Sequence, residues 1–174
     1  MDFVARVESA LAAERKALEL AQAPFLLAVR LYWGWAFATN GWGKLHRIDE
    51  IAKWFGDELH IPAPLANAYA ASFTELIGGT LLLVGLGGRV ATIPLVVTMC
   101  VAYATSDYGG LQGLFLSAEA CTASPTCTPF EDAAPFSYLM ASTIVLLFGA
   151  GPLSADGVIA WWWAKRAAGT AAPR

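Results

Sequence analysis

Two charges stand where charge is expensive. Arg30 lies in "APFLLAVRLYWGWAFATNGW" (23–42) and Glu75 in "LANAYAASFTELIGGTLLLVGL" (65–86), runs that are otherwise largely apolar. An isolated charge at the centre of a membrane helix costs about 2.5–3.5 kcal/mol on insertion scales, so such residues usually face the interior of a bundle and pair. With the two runs as antiparallel helices, Arg30 sits roughly 9 Å beyond Pro24 at about 1.5 Å per residue, and its long side chain reaches toward Glu75. The expectation is a buried Arg30–Glu75 contact, direct or through one water. Such a pair is either a clamp between two helices or a polar site for a quinone carbonyl, a proton or a small anion. Asn67, Ser72, Thr74, Thr98, Ser142 and Thr143 lie at comparable depth; they either extend a network or bond to their own backbone.

The remaining reactive residues are few. Cys121 and Cys127 have five residues between them in "EACTASPTCTPF", which is not the C-x-x-C spacing of thioredoxin-like proteins. Cys100 falls within an apolar run and reads as a small packing residue. His46 and His60 share one segment between runs. A transmembrane b-type haem needs histidines on the spans themselves, and two histidines without well-spaced cysteines make no convincing zinc set. Both are therefore read as interfacial, with no metal expected.

These residues must be positioned by helices in lipid. Of 174 residues, 57% are hydrophobic and only 14% charged, against about 25% charged in an ordinary soluble domain. So little charge cannot cover a wetted surface, and the net charge of −3 suggests no nucleic-acid partner. A span needs about 20 apolar residues. Four candidate runs occur: 23–42, 65–86, 90–105 and 136–152. Pro24 suits the first turn of the first run, and Pro94 lies where it could kink the third. The fold expected is all-α: an integral membrane four-helix bundle, with a short interfacial helix in its first outer loop. That short helix rests on Ile48, Ile51, Trp54, Phe55 and Leu59 at helical spacing. Gly34 with Ala38, and Gly78 with Gly79, mark close helix contacts. Residues 1–22 read as a cytoplasmic or interfacial helix of mixed charge with an apolar stripe at Phe3, Val7, Leu11 and Leu18. They are not a signal peptide, because Glu8, Glu14 and Glu19 interrupt any apolar core. The divisions are thus 1–22, a membrane domain at 23–160, and an interfacial tail at 161–174.

Basic residues orient the bundle. With four spans, both ends and the "GLGGR" turn share one side, carrying Arg6, Arg15, Lys16, Arg89, Lys165, Arg166 and Arg174. The opposite side carries Lys44, Arg47 and Lys53. The ends are expected in the cytoplasm, with the first and third loops outside. That puts Cys121 and Cys127 in the oxidising compartment, where a structural disulfide is the favoured reading; a redox-active pair and free thiols are the alternatives. The third loop, 106–135, is expected to lack secondary structure. Trp161, Trp162 and Trp163 are placed at headgroup depth beside Lys165 and Arg166.

The order of these features resembles the DoxX/DoxD family of small four-span membrane proteins. The residues that carry the resemblance are "RLYWGWAFATNGWGKL" from Arg30, "WFGDELHIPAPLANAYAASFTELIGGTLLLVGLGGRVA" from Trp54, and "GAGPLSADGVIA" from Gly149. The long cysteine-bearing loop is more like the DoxD branch, the small subunit of thiosulfate:quinone oxidoreductase. The resemblance implies a redox-associated membrane subunit in a bacterial or archaeal cytoplasmic membrane. It implies a quinone rather than a covalent cofactor, and a partner membrane or periplasmic chain, since no soluble catalytic domain is present. Arg30, Lys44, Glu75, Arg89 and Asp156 are the polar residues that match by position, without catalytic assignment. The alternative is a non-catalytic subunit that stabilises a larger membrane complex. A carrier is the weakest reading, because inverted halves are not evident.

Overall fold

The computed structural model describes residues 3–170. The side chains of Phe3 and Arg6, and all of Arg174, lie outside the described residues. Among the described residues the chain is helical, without strands. The helices are α1 (Phe3–His46), α2 (Ile48–Asp57), α3 (Pro64–Val84), α4 (Gly88–Ala104), α5 (Tyr108–Gly113), α6 (Ala118–Thr122), α7 (Pro135–Phe148) and α8 (Ala155–Thr170), with one 3-10 turn at Phe130–Asp132. Among them, no helix is long and apolar enough to cross a membrane. The reasons differ by helix. α4 has 17 residues and α7 has 14, whereas α3 has 21 but spends several on Asn67, Ser72, Thr74 and Glu75.

α1 corrects the expected start at Pro24. It runs unbroken for 44 residues with Pro24 inside it. The upstream segment "LAAERKALEL" is rich in strong helix formers. The helix therefore persists across a proline that is itself exposed, at the cost of one backbone bond.

The core forms where α1, α3, α4 and α7 meet. Phe37, Leu82, Leu95, Met99 and Val145 are buried together there. The inward face of α3 follows helical spacing: Ala68, Ser72, Glu75, Gly79 and Leu82 are buried. α1 and α3 touch backbone to backbone. A Cβ on Gly34 would lie 2.6 Å from the Leu83 nitrogen, and one on Gly79 would lie 2.5 Å from the Ala38 nitrogen. Gly41, not singled out in the sequence, makes the same kind of approach against Ser72. These contacts fix the antiparallel register of the two helices.

α3 stops at Gly85, whose φ of 75° suits glycine. Gly87 then opens α4 with a φ of 59°. The third loop is more ordered than expected. α5, α6 and the 3-10 turn fold it back on the bundle, with Phe130 stacked on Tyr103 at 4.6 Å and the Tyr103 hydroxyl donating to the Phe130 carbonyl at 2.8 Å. Cys121 and Cys127 are joined in a disulfide with Cα atoms 5.2 Å apart. Cys100 is exposed on α4 instead of packed.

Candidate functional site: a buried carboxylate at a cavity between five helices

Lys44 stands near the C-terminal end of α1, and Glu75 near the middle of α3. The register set by the glycines brings them together. Lys44 Nζ lies 2.6 Å from Glu75 Oε1, in the only ion pair among the described residues. The partners are unequally buried: the Lys44 side chain is 32% exposed and that of Glu75 3%. The second carboxylate oxygen, Oε2, is buried and has no hydrogen-bond partner. Such an orphan acceptor is costly in a protein interior and calls for an explanation.

The neighbouring hydroxyls do not supply one. Ser72 donates to the Ala68 carbonyl at 2.7 Å and Thr98 to the Pro94 carbonyl at 2.9 Å, each within its own helix. Ser142 bonds back to Tyr138 in the same way. Asn67 donates to the Pro62 carbonyl at 2.7 Å. For these four of the six polar residues, bonding to local backbone is the expectation met.

Glu75 and Lys44 line a cavity of about 470 Å³. Phe37 and Asn40 of α1 form one wall, Ala71 and Thr74 of α3 another, and Met99 and Ala102 of α4 a third. Tyr138 of α7 completes the far side, and Trp54 and Phe55 of α2 cover the cavity together with Leu59 and Ile61. The lining is mostly apolar, with a few convergent polar groups, as small-molecule sites usually are. Asn40 Nδ2 donates to the Tyr138 hydroxyl at 2.9 Å. That bond uses the oxygen as acceptor and leaves the phenolic proton available to donate. The segment that roofs the cavity carries two non-glycine residues in the left-handed region, His60 (φ 52°) and Ala63 (φ 47°).

Arg30 is not part of this site, which overturns the expected Arg30–Glu75 contact. Arg30 is 2% exposed. Its Nε donates to the Leu82 carbonyl at 3.2 Å, Nη1 to the Leu153 carbonyl at 3.1 Å and to Ala150, and Nη2 to the Val84 carbonyl at 3.5 Å. The reason is register. Arg30 lies opposite the end of α3, whose last carbonyls lack helical partners and carry the negative end of the helix dipole. Glu75 is about two turns away along α3, roughly 10 Å at 1.5 Å per residue. Two other matching residues gather at the Arg30 end. Asp156 accepts from the Gly87 and Gly88 nitrogens at 2.8 and 3.0 Å, capping α4, and Arg89 donates to the Leu147 carbonyl at 3.2 Å. Of the five polar residues, then, Lys44 and Glu75 meet at the cavity, while Arg30, Arg89 and Asp156 tie helix ends together. Tyr138 and Asn40 were not foreseen. Nothing in the sequence separates Tyr138 from an ordinary interfacial tyrosine.

Comparison with known proteins adds two findings. A family model described as DoxX matches residues 25–107, a stretch holding Arg30, Lys44, Glu75 and Arg89 but ending before Tyr138, the disulfide and Asp156. The chain is also similar to the uncharacterized membrane protein Rv3486 of Mycobacterium tuberculosis (strain ATCC 25618 / H37Rv). The two are 33% identical over 97 residues, which is 55% of this chain and 60% of that protein. The match therefore spans about three fifths of the relative's length. No solved structure matches.

Proposed function

Because the chain belongs to the DoxX family through its residues 25–107, we propose that it is an integral membrane protein whose Glu75 cavity binds a quinone headgroup, as the membrane subunit of a redox complex. The membrane reading is supported by the outward faces of the helices. Phe73, Ile77, Ile93, Val97, Leu147 and Phe148 are all exposed. So many large apolar side chains exposed on three packed helices suit a lipid surface better than a wetted one. Polar residues of α3 that dilute its hydropathy, such as Glu75 and Ser72, are turned inward and never meet lipid. The four core helices become the four spans, with both ends cytoplasmic and the cavity toward the outer face.

The observation that carries the quinone reading is the partnerless Glu75 Oε2 at an apolar cavity. Lys44 holds the other oxygen, so the carboxylate is neutralised and fixed in orientation while one acceptor stays open. The Tyr138 phenol faces the same cavity as a free donor. The pair suits both states of one ligand: a phenol donates to a quinone carbonyl, and a carboxylate accepts from a quinol hydroxyl. A bound quinone supplies a sink for two electrons and two protons. Electrons would come from a partner chain at the outer face or from a small sulfur compound, as in the DoxD branch. The test is binding of decylubiquinone to the purified protein in detergent, followed by quenching of tryptophan fluorescence; Trp54 lies in the cavity wall. Saturable binding is expected for decylubiquinone and for its reduced quinol, and the quinol's should weaken at least tenfold in Glu75→Leu, which removes the acceptor, with the melting temperature kept. Quinol binding unaffected by Glu75→Leu sinks the reading.

A second reading, a subunit that stabilises a larger complex, is favoured by α8. Val158, Ile159 and all three tryptophans of that helix are exposed. Mass spectrometry of protein copurified in mild detergent tests it; loss of a stoichiometric partner on truncating α8, with quinone binding intact, is the result that supports it.

A further inference from the structure

A second depression borders the cavity. On the flank of the bundle, Ala28, Leu31, Tyr32, Trp35 and Thr39 of α1 and the single α7 residue Tyr138 line a shallow groove of about 630 Å³. Two of its lining residues, Asn40 and Tyr138, also line the Glu75 cavity. Their mutual hydrogen bond therefore borders both the Glu75 cavity and the groove. At that border the Tyr138 ring is held edge-on against Phe37 at 4.8 Å. The chamber carries the buried carboxylate. The groove carries no charged residue, and Leu31, Tyr32 and Trp35 are at least half exposed.

We propose that this groove is the subsite for the apolar tail of the ligand whose polar head occupies the Glu75 cavity, with Asn40 and Tyr138 as the threshold between them. The inference rests on the headgroup reading above and adds the ligand's second half: an amphiphile with a polyisoprenoid or alkyl chain. The occupant is chosen by continuity. A ligand small enough to lie wholly in the chamber has no use for the groove, whereas one with a long tail must leave the chamber by some wall. Asn40 and Tyr138 are the residues that the cavity and the groove share, and they give onto an apolar flank of α1. In the four-span arrangement that flank faces hydrocarbon, so the tail exchanges lipid contacts for ring contacts with Tyr32 and Trp35 and never crosses water.

The test compares decylubiquinone with its tail-less dimethoxy-methyl-benzoquinone parent on the full chain in nanodiscs of phosphatidylcholine. The tail leaves lipid rather than water, so after correction for partition its gain comes from packing contacts with Tyr32 and Trp35, and the decyl compound should bind about threefold or more tighter than the parent. Thr39→Trp places bulk in the groove at an exposed position that does not line the Glu75 cavity. It should erase the tail's advantage and leave the affinity of the tail-less parent within twofold. Ala28→Trp does the same from the other end of the groove and covers the case in which Thr39→Trp fails to fold. Equal affinities of the two compounds in the parent protein overturn the tail subsite and leave the headgroup reading standing. A tail advantage that survives both tryptophan variants also overturns it, and assigns the gain to bulk lipid. Absence of binding by either compound overturns the headgroup reading and the subsite with it.

Discussion

Lys44 and Glu75 share one bond but not one environment, and their removal should differ accordingly. Lys44→Ala strands a buried carboxylate, a loss on the order of 3 kcal/mol when a buried partner is removed. Glu75→Ala leaves a lysine that already reaches solvent, so the loss should be smaller. Melting temperatures in one detergent decide the matter; the reverse order would mean that the pair is not the main support of the carboxylate. Arg30 makes a different demand, because its planar fork serves several carbonyls at once. Lysine keeps the charge but not that geometry, and Arg30→Lys should cost roughly 1–3 kcal/mol through carbonyls left short of donors. Equal melting of Arg30→Lys and parent would show that charge alone suffices. The buried status of Arg30 and Glu75 was legible from residue type against an apolar background. Their partners were not, because a side chain's reach says nothing of which turn of the next helix it meets.

Helix register is decided by contacts that a hydropathy pattern does not contain. Gly34, Gly41 and Gly79 let α1 and α3 meet at backbone distance, and this alignment sends Arg30 to the end of α3 and Lys44 to Glu75. Gly79→Leu should therefore cost more than a typical overpacking of about 1–3 kcal/mol, because the clash is with backbone. A normal melting temperature in that variant would refute the close approach. The α4 cap is a milder case: Asp156→Ala should cost about 0.5–2 kcal/mol. The loop before α3 offers a gain instead. Ala63 holds a left-handed φ of 47°, a conformation that costs an L-residue roughly 1–2 kcal/mol, so Ala63→Gly should raise the melting temperature. The amphipathic α2, the extents of α3 and α4, and the glycine turn at 85–87 could all be read from apolar spacing and turn residues. The continuation of α1 through Pro24 could not, because a proline signals a boundary unless strong helix formers precede it. Nor could α5 and α6, whose order depends on packing against Tyr103 and on the disulfide.

At the scale of the whole molecule, large apolar side chains stand exposed on α3, α4 and α7, and the orientation proposed above follows from the distribution of lysine and arginine. It makes α8 an interfacial element. Lys165 lies 5.1 Å from the centre of the Trp161 ring and Arg166 3.5 Å from that of Trp162, an arrangement suited to the headgroup layer. Brominated lipid should quench the fluorescence of these tryptophans in the isolated protein; fluorescence indifferent to it would assign α8 to a protein partner. Arg30 also bears on how the chain is made. It belongs to the first core helix, yet two of its acceptors, Ala150 and Leu153, follow the last. A nascent chain therefore carries an incompletely satisfied cation until residues 150–153 have been made. Under the membrane reading proposed above, a chain halted before residue 150 should stay recognisable to membrane proteases. Pulse-chase lifetimes should be short for a chain ended at 148 and longer when the same truncation carries Arg30→Leu.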